Sequence, residues 1–193
     1  MFIEQVVKQY VQTPVRALDL CAAPGGKTTH LLSMLPGGSL LVSNEPVPQR
    51  AQVLAENVIK WGTGNVVVTN SDPSAFSEME GAFDIIIVDA PCSGYGIIRK
   101  KPDIRYKDPA SMQELPELQL RILQQQAQYV KPGGLLLYST CTLVRSENEA
   151  VVEAFLKINP DFVTEPLPLP PVFPENTSGM LALVPGEYDT DGF

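Results

Sequence analysis

With 193 residues, 44% of them hydrophobic, the chain is long enough to bury one sizeable core and short enough to form a single domain over 1–193. A net charge of -8 excludes a uniformly basic surface of the kind that grips nucleic acid everywhere. No run reaches the roughly 18 to 20 apolar residues of a membrane span and the start has no basic-then-apolar leader, so a cytoplasmic, soluble protein without a membrane partner is expected, with a monomer favoured.

Met1 to Val11 carries apolar residues at helical spacing (Phe2, Ile3, Val6, Val7, Tyr10), and Pro14 ends that helix. A short buried strand follows at Val15 to Leu20. Pro24-Gly25-Gly26 then turns the chain into a helix from Lys27 to Leu35, closed by Pro36-Gly37-Gly38. The second strand is Leu40 to Ser43, the next helix Val47 to Trp61, ending at Gly62, and the third strand Val66 to Thr69. Phe83 to Val88, apolar throughout from Ile85, reads as a central strand covered on both faces.

An irregular stretch, Ala90 to Glu114, leads to a helix from Leu115 to Val130, with Pro116 tolerated in its first turn. Lys131-Pro132-Gly133-Gly134 reads as a turn into a fifth strand, Leu135 to Ser139. Ser146 to Leu156 is the last helix, with Ser146 and Glu149 at capping-box spacing. Residues 160–180 form a Pro-rich connector: five prolines and no charge between Pro166 and Pro174 predict a rigid extended segment. The order, βαβαβ and then βαβα, predicts an α/β fold with a doubly wound, mostly parallel, Rossmann-like sheet.

The first strand runs through Cys21-Ala22-Ala23-Pro24-Gly25-Gly26-Lys27 into a helix. Small residues there let a ligand approach the backbone, and a helix amino terminus favours negative charge. One reading is a P-loop, since Cys21 to Thr28 matches that motif except at its first glycine, and Ile85 to Asp89 resembles the acid-ended strand that accompanies it. Against it, Cys21 stands where glycine is required, and Pro24 removes a backbone N–H from a loop that must cradle phosphates. Glu45 lies just past the second strand, 18 residues after Lys27, where a carboxylate accepts hydrogen bonds from ribose hydroxyls. Asp72 follows the third strand and Asp89 the fourth. A carboxylate beyond each of three strands fits a nucleoside cofactor without phosphates, and S-adenosylmethionine (SAM) is the natural candidate.

Three cysteines and no secretion signal point to reduced thiols. Cys21 reads as a small hydrophobe in the cofactor wall. Cys92 in A-P-C-S-G and Cys141 in S-T-C-T each follow an apolar strand, so two thiols converge at one sheet edge. No C-x-x-C occurs and the one histidine, His30, lies on the first βα helix, so no metal is expected. Beside SAM, a thiolate solves a specific problem: C5 of a pyrimidine is a poor nucleophile until a thiolate adds at C6 and makes C5 enamine-like. Asp89 would support the adduct by hydrogen bonding, and Lys27 would orient the base or favour the thiolate. Arg99, Lys100, Lys101, Arg105 and Lys107 place five bases within nine residues after Cys92, suited to phosphate contacts.

D-L-C-A-A-P-G-G-K-T, D-A-P-C-S-G and Y-S-T-C-T-L followed by E-N-E (Glu147 to Glu149) resemble the signature blocks of the Sun/Fmu-type RNA (cytosine-5)-methyltransferases, in the same order. The resemblance implies a SAM site at Cys21 to Lys27, Glu45, Asp72 and Asp89. It also implies that Cys141 is the nucleophile and Cys92 assists product release, a division that position along the chain leaves open. Lys27 and Asp89 are implied to hold the cytosine. The implied partner is RNA, ribosomal first and transfer RNA second. Family members usually carry further RNA-contacting segments, so the chain looks trimmed to the catalytic core. Two other classes stand beside this reading, a P-loop NTPase and a non-catalytic RNA-binding module.

Overall fold

The computed structural model describes residues 3–193 except Thr63, Pro168, Val172, Pro174, Tyr188 and Asp189. It divides into two compact units, Met1–Asp89 with Gln125–Tyr138, and Ala90–Gln124 with Ser139–Phe193.

The first unit holds a five-stranded sheet in the order β3-β2-β1-β4-β5, from β1 (Arg16–Asp19), β2 (Leu40–Asn44), β3 (Val66–Thr69), β4 (Phe83–Asp89) and β5 (Val130–Ser139). β1 pairs in parallel with both β2 and β4, with Leu18 opposite Val42 and Ile86, and β2 pairs in parallel with β3. The order reverses between β1 and β4, as the doubly wound reading expects, so the carboxyl ends of these strands open a crevice suited to ligands. Ile85 to Val88 have no solvent exposure because β4 has a strand on each side and both faces are covered.

Side-chain alternation splits that strand between two faces. Ile85 and Ile87 join Ala17, Leu41, Leu31 of α2 (Gly26–Leu32) and Val7 of α1 (Ile3–Tyr10) in one cluster. Leu54 and Val58 of α3 (Pro48–Trp61) pack on Ala22 and Ala23 in another. Complete burial of Leu54 contributes about 1.5–3 kcal/mol, and it fastens α3 to the turn after β1. Phe2, counted in the expected first helix, lies outside the described residues.

Three expectations are corrected. β5 begins at Val130, not Leu135. The Lys-Pro-Gly-Gly segment stays within the strand because Gly133 takes φ +75 and Gly134 leaves no room for a Cβ, which would sit 3.0 Å from the Asp84 carbonyl oxygen. Lys131 pairs there with Asp84, whose other carboxylate oxygen accepts the Arg16 N–H at 2.8 Å.

In the second unit the last helix, α5 (Glu149–Ile158), starts three residues later than expected, and the Ser146–Glu149 capping box is not formed. Arg145–Glu147 is instead a 3-10 turn, and the capping position falls on Asn148. The Asn148 side chain is already committed elsewhere: Oδ1 accepts the Thr140 hydroxyl at 2.5 Å, and Nδ2 donates to the Thr142 carbonyl at 2.9 Å.

The Pro-rich connector turns back on itself instead of running extended. Leu167 N donates to Asn176 O at 3.1 Å in an antiparallel bridge, and Phe173 N donates to Pro170 O at 2.9 Å. Pro168 and Pro174 lie outside the described residues.

Candidate active site

In the first unit the turn after β1 is built from backbone held by α3. Arg50 Nη2 donates to the Ala23 carbonyl at 3.1 Å, Asn57 Nδ2 donates to that of Pro24 at 2.7 Å, and Ala22 N donates to Asn44 O at 3.0 Å. Gly25 opens α2 at φ +107, a conformation costly for any residue with a Cβ. A Cβ on Gly26 would meet no atom within 4 Å, so the turn faces open space at this point.

Charged groups gather around the turn. Lys27 Nζ lies 2.6 Å from Asp89 Oδ2, joining the start of α2 to the end of β4. Glu45 is buried, with Oε1 accepting Val47 N at 3.1 Å and Oε2 3.4 Å from Arg50 Nη2. Burial pushes the Cys21 thiol up to about 12, with the nearby Asp19, Glu45 and Asp89 adding to the effect. The thiol is therefore uncharged at neutral pH.

Asp72, beyond β3, is exposed. It caps the 3-10 helix Pro73–Met79, its Oδ1 accepting Ser74 N at 2.9 Å and Ser74 Oγ at 2.6 Å, and these bonds hold its carboxyl low.

Sequence reasoning passed over Asp19. It ends β1 fully buried; Oδ1 accepts Cys21 N at 3.0 Å, and Oδ2 has no hydrogen-bond partner among the described residues. Burial first, and then the Asp89 and Glu45 charges, raise its carboxyl to about 7 against the donated N–H and Lys27. The strand-end rule applied to the other three acids would have found it. The open face at Gly26, the unsatisfied Asp19 oxygen and the ribose-competent Glu45 together fit an uncharged-to-cationic nucleoside better than a polyphosphate.

In the second unit the two thiols meet. Sγ of Cys92 and Sγ of Cys141 are 3.1 Å apart, and Cys141 N donates to Cys92 Sγ at 3.3 Å. The two form no disulfide and are half-buried. The adjoining Cys141 thiol, and then burial, hold the Cys92 thiol strongly up, so Cys92 keeps its proton.

A buried network fixes the residues flanking each sulfur. Glu147 Oε2 accepts Ser93 N at 2.8 Å and Gln119 Nε2 at 3.0 Å, and Gln119 Nε2 also donates to Pro91 O at 2.9 Å. Both peptides bracketing Cys92 are thereby held. Ser93 Oγ and Thr142 Oγ1, 2.8 Å apart, tie the residue after Cys92 to the residue after Cys141. Glu147 stood only inside a motif block, and Gln119, on α4 (Leu115–Ala127), carried no sequence signal. Among the described residues no group of three or more His, Cys, Asp or Glu could hold a metal ion, and no helix is long and apolar enough to cross a membrane.

A parallel sheet ordered β3-β2-β1-β4-β5, with a glycine turn after β1 and carboxylates at its strand ends, defines the class: the Rossmann-like fold of the SAM-dependent methyltransferases. The family model for 16S rRNA methyltransferase RsmB/F matches residues 10–193, and the chain belongs to that family. It is 39% identical over 184 residues to the probable ribosomal RNA small subunit methyltransferase B of Bacillus subtilis, covering 91% of this chain and 41% of that protein. It is also 39% identical over 187 residues to ribosomal RNA small subunit methyltransferase F of Escherichia coli, covering 93% of this chain and 39% of the relative. The crystal structure of PH0851 superimposes with a TM-score of 0.86 at 32% identity, over 99% of this chain and 43% of that one. The chain thus spans about two fifths of the length of these curated relatives.

Proposed function

We propose that the chain is the catalytic core of a SAM-dependent RNA (cytosine-5)-methyltransferase acting on ribosomal RNA, with transfer RNA the second candidate. The observation that carries the reading is the 3.1 Å approach of Cys92 and Cys141, which gives one thiol to attack and a second, protonated one beside it.

The backbone of Cys21 to Gly26 would hold the cofactor with Glu45, Asp72 and Asp89. Bound there, SAM supplies an electrophilic methyl on its sulfonium. Cys141 Sγ adds to C6 of the cytosine, and the C5=C6 electron pair makes C5 nucleophilic. Asp89 and Lys27 hold the base through N3 and the exocyclic amine. C5 would take the methyl as its bond to the sulfonium sulfur breaks and S-adenosylhomocysteine leaves; a general base then removes the C5 proton, the electrons re-form C5=C6, and the C6–S bond breaks with sulfur as the leaving group. Cys92 assists that release. The target base has to leave its stack, which costs a few kcal/mol in a duplex, so accessible or remodelled RNA is the substrate.

An NTPase is the weaker reading because Pro24 contributes no N–H to the turn and Lys27 is paired with Asp89. The deciding test is RNA containing 5-fluorocytidine, whose fluorine no base can abstract. With SAM present, wild type should give a covalent protein–RNA band, and Cys141→Ala should give none. A band in Cys141→Ala without one in wild type would overturn the nucleophile assignment. Calorimetric binding of ATP with magnesium, without SAM binding, would overturn the whole reading.

A further inference from the structure

The five bases between Arg99 and Lys107 are not equivalent in the fold. Arg99 Nη2 lies 3.7 Å from Asp191 Oδ1 and Lys100 Nζ pairs with Oδ2 of the same carboxylate, which is buried. Lys107 Nζ donates to the carbonyl of Ser93, the residue after Cys92, at 3.1 Å. These three cations are committed within the protein. Lys101 and Arg105 make no side-chain ion pair or hydrogen bond among the described residues.

Between Arg105 and Lys107 stands Tyr106, 86% exposed and, among the described residues, without a ring or hydrogen-bond partner. Its setting is firm. The 3-10 helix Pro102–Tyr106 buries Ile104, which packs so close to Gly94 that a Cβ there would lie 3.1 Å from Ile104 Cδ1. That peg and the Lys107 bond pin the segment to the turn that follows Cys92. A tyrosine ring held in water on fixed backbone keeps its π-face available, and with only two χ angles it loses little side-chain entropy on binding. The surrounding residues decide the partner: Lys101, Asp103, Arg105, Lys107 and Asp108 are all exposed. An apolar protein or lipid contact would have to desolvate these charges, whereas a nucleotide places its base on the ring and leaves its phosphate in water beside the cations.

We infer that Tyr106, with Arg105 and Lys101, is a docking platform for single-stranded RNA: one unstacked base lies on the Tyr106 ring, and flanking phosphates meet Arg105 and Lys101. The inference rests on the RNA reading above and deepens it by assigning a contact outside the reacting centre. A single strand is required because a paired base has both faces stacked on its neighbours.

The test is an anisotropy titration of the full chain with a labelled single-stranded ribosomal RNA fragment and its duplex, comparing wild type with Tyr106→Ala, Tyr106→Leu, Tyr106→Phe and Arg105→Ala. SAM affinity and thermal midpoint verify that each variant is folded. Loss of one stacked base is expected to weaken single-strand binding about ten-fold or more in Tyr106→Ala and Tyr106→Leu, while Tyr106→Phe stays within about two-fold. Arg105→Ala should lower the slope of log K against log salt by about 0.7, the loss of one phosphate contact. The platform is overturned if wild type does not bind the single strand, if Tyr106→Leu binds as wild type does, or if Tyr106→Ala alters self-association and leaves RNA affinity intact. Tyr106-dependent binding without a 5-fluorocytidine adduct would instead uphold the platform and remove the proposed chemistry.

Discussion

Sγ of Cys92 lies 3.1 Å from Sγ of Cys141, although 49 positions separate them in the chain. The neighbouring thiol, and then burial, hold the Cys92 thiol up, so Cys92 retains its hydrogen beside Cys141, the nucleophile proposed above. Cys92→Ala is expected to form the RNA adduct at near-normal rate and then fail to release it, giving a single-turnover burst and a stable protein–RNA band in denaturing gels with ordinary cytidine RNA. Multiple turnover without such a band would remove the release role.

Glu147 and Gln119 bracket Cys92 through Ser93 N and Pro91 O. Glu147→Ala leaves a buried N–H and a buried amide without their acceptor and should cost about 2–5 kcal/mol. Glu147→Gln keeps an acceptor oxygen and should cost less than half of that. Urea unfolding reads both, and a shift below about 0.5 kcal/mol for Glu147→Ala would show that the network does not hold the loop.

Asp19 predicts a pH dependence. Its carboxyl is raised from 3.8 to about 7, chiefly by burial, so the folded state keeps a proton that the unfolded chain has already released. Stability should therefore fall as pH rises from about 4 to about 7, by at most about 1.4 kcal/mol per unit, and then level off once the folded group ionises too. Asp19→Asn removes this slope, so it should gain on wild type between pH 5 and pH 7.5 in paired urea melts. An equal difference at the two pH values would contradict the assignment.

Two glycines give a contrasting pair. A Cβ on Gly96 would fall 2.1 Å from Gly192 O and 2.9 Å from Cys141 O, so Gly96→Ala should destabilise by about 1–3 kcal/mol and abolish the adduct. Gly26 has open space at the same test, so Gly26→Ala should leave stability within about 0.5 kcal/mol yet weaken SAM binding measured by calorimetry. Unchanged SAM affinity would mean that no ligand approaches the turn there.

Much of the fold was legible before the structure. β3 falls at Val66–Thr69 as read, and β4 differs by one residue, because short apolar runs between turn residues carry their own signal. Boundaries failed where a local motif competed with a contact from elsewhere. The Lys-Pro-Gly-Gly segment looked like a turn but stays in β5, and the cap position moved from Ser146 to Asn148, whose side chain is taken by Thr140 and Thr142. Asp72 reads the same in sequence as Glu45, yet one caps an exposed 3-10 helix and the other is buried beside Arg50.

By itself the sequence determined which segments become strands, that a glycine turn follows the first, that carboxylates follow the second, third and fourth, and that two reactive-looking thiols occupy turns after apolar strands. These features are local: side-chain alternation, backbone freedom at glycine and proline, and residue type at a strand end all act over a few positions. The tertiary structure alone decided the partnerships: Lys27 with Asp89, Cys92 with Cys141, Glu147 beneath Ser93, and Arg99 with Lys100 on Asp191, leaving Lys101, Arg105 and Tyr106 facing water. Each closes a distance of tens of positions, and burial energy summed over the whole core, not spacing along the chain, selects which of the possible pairs meet.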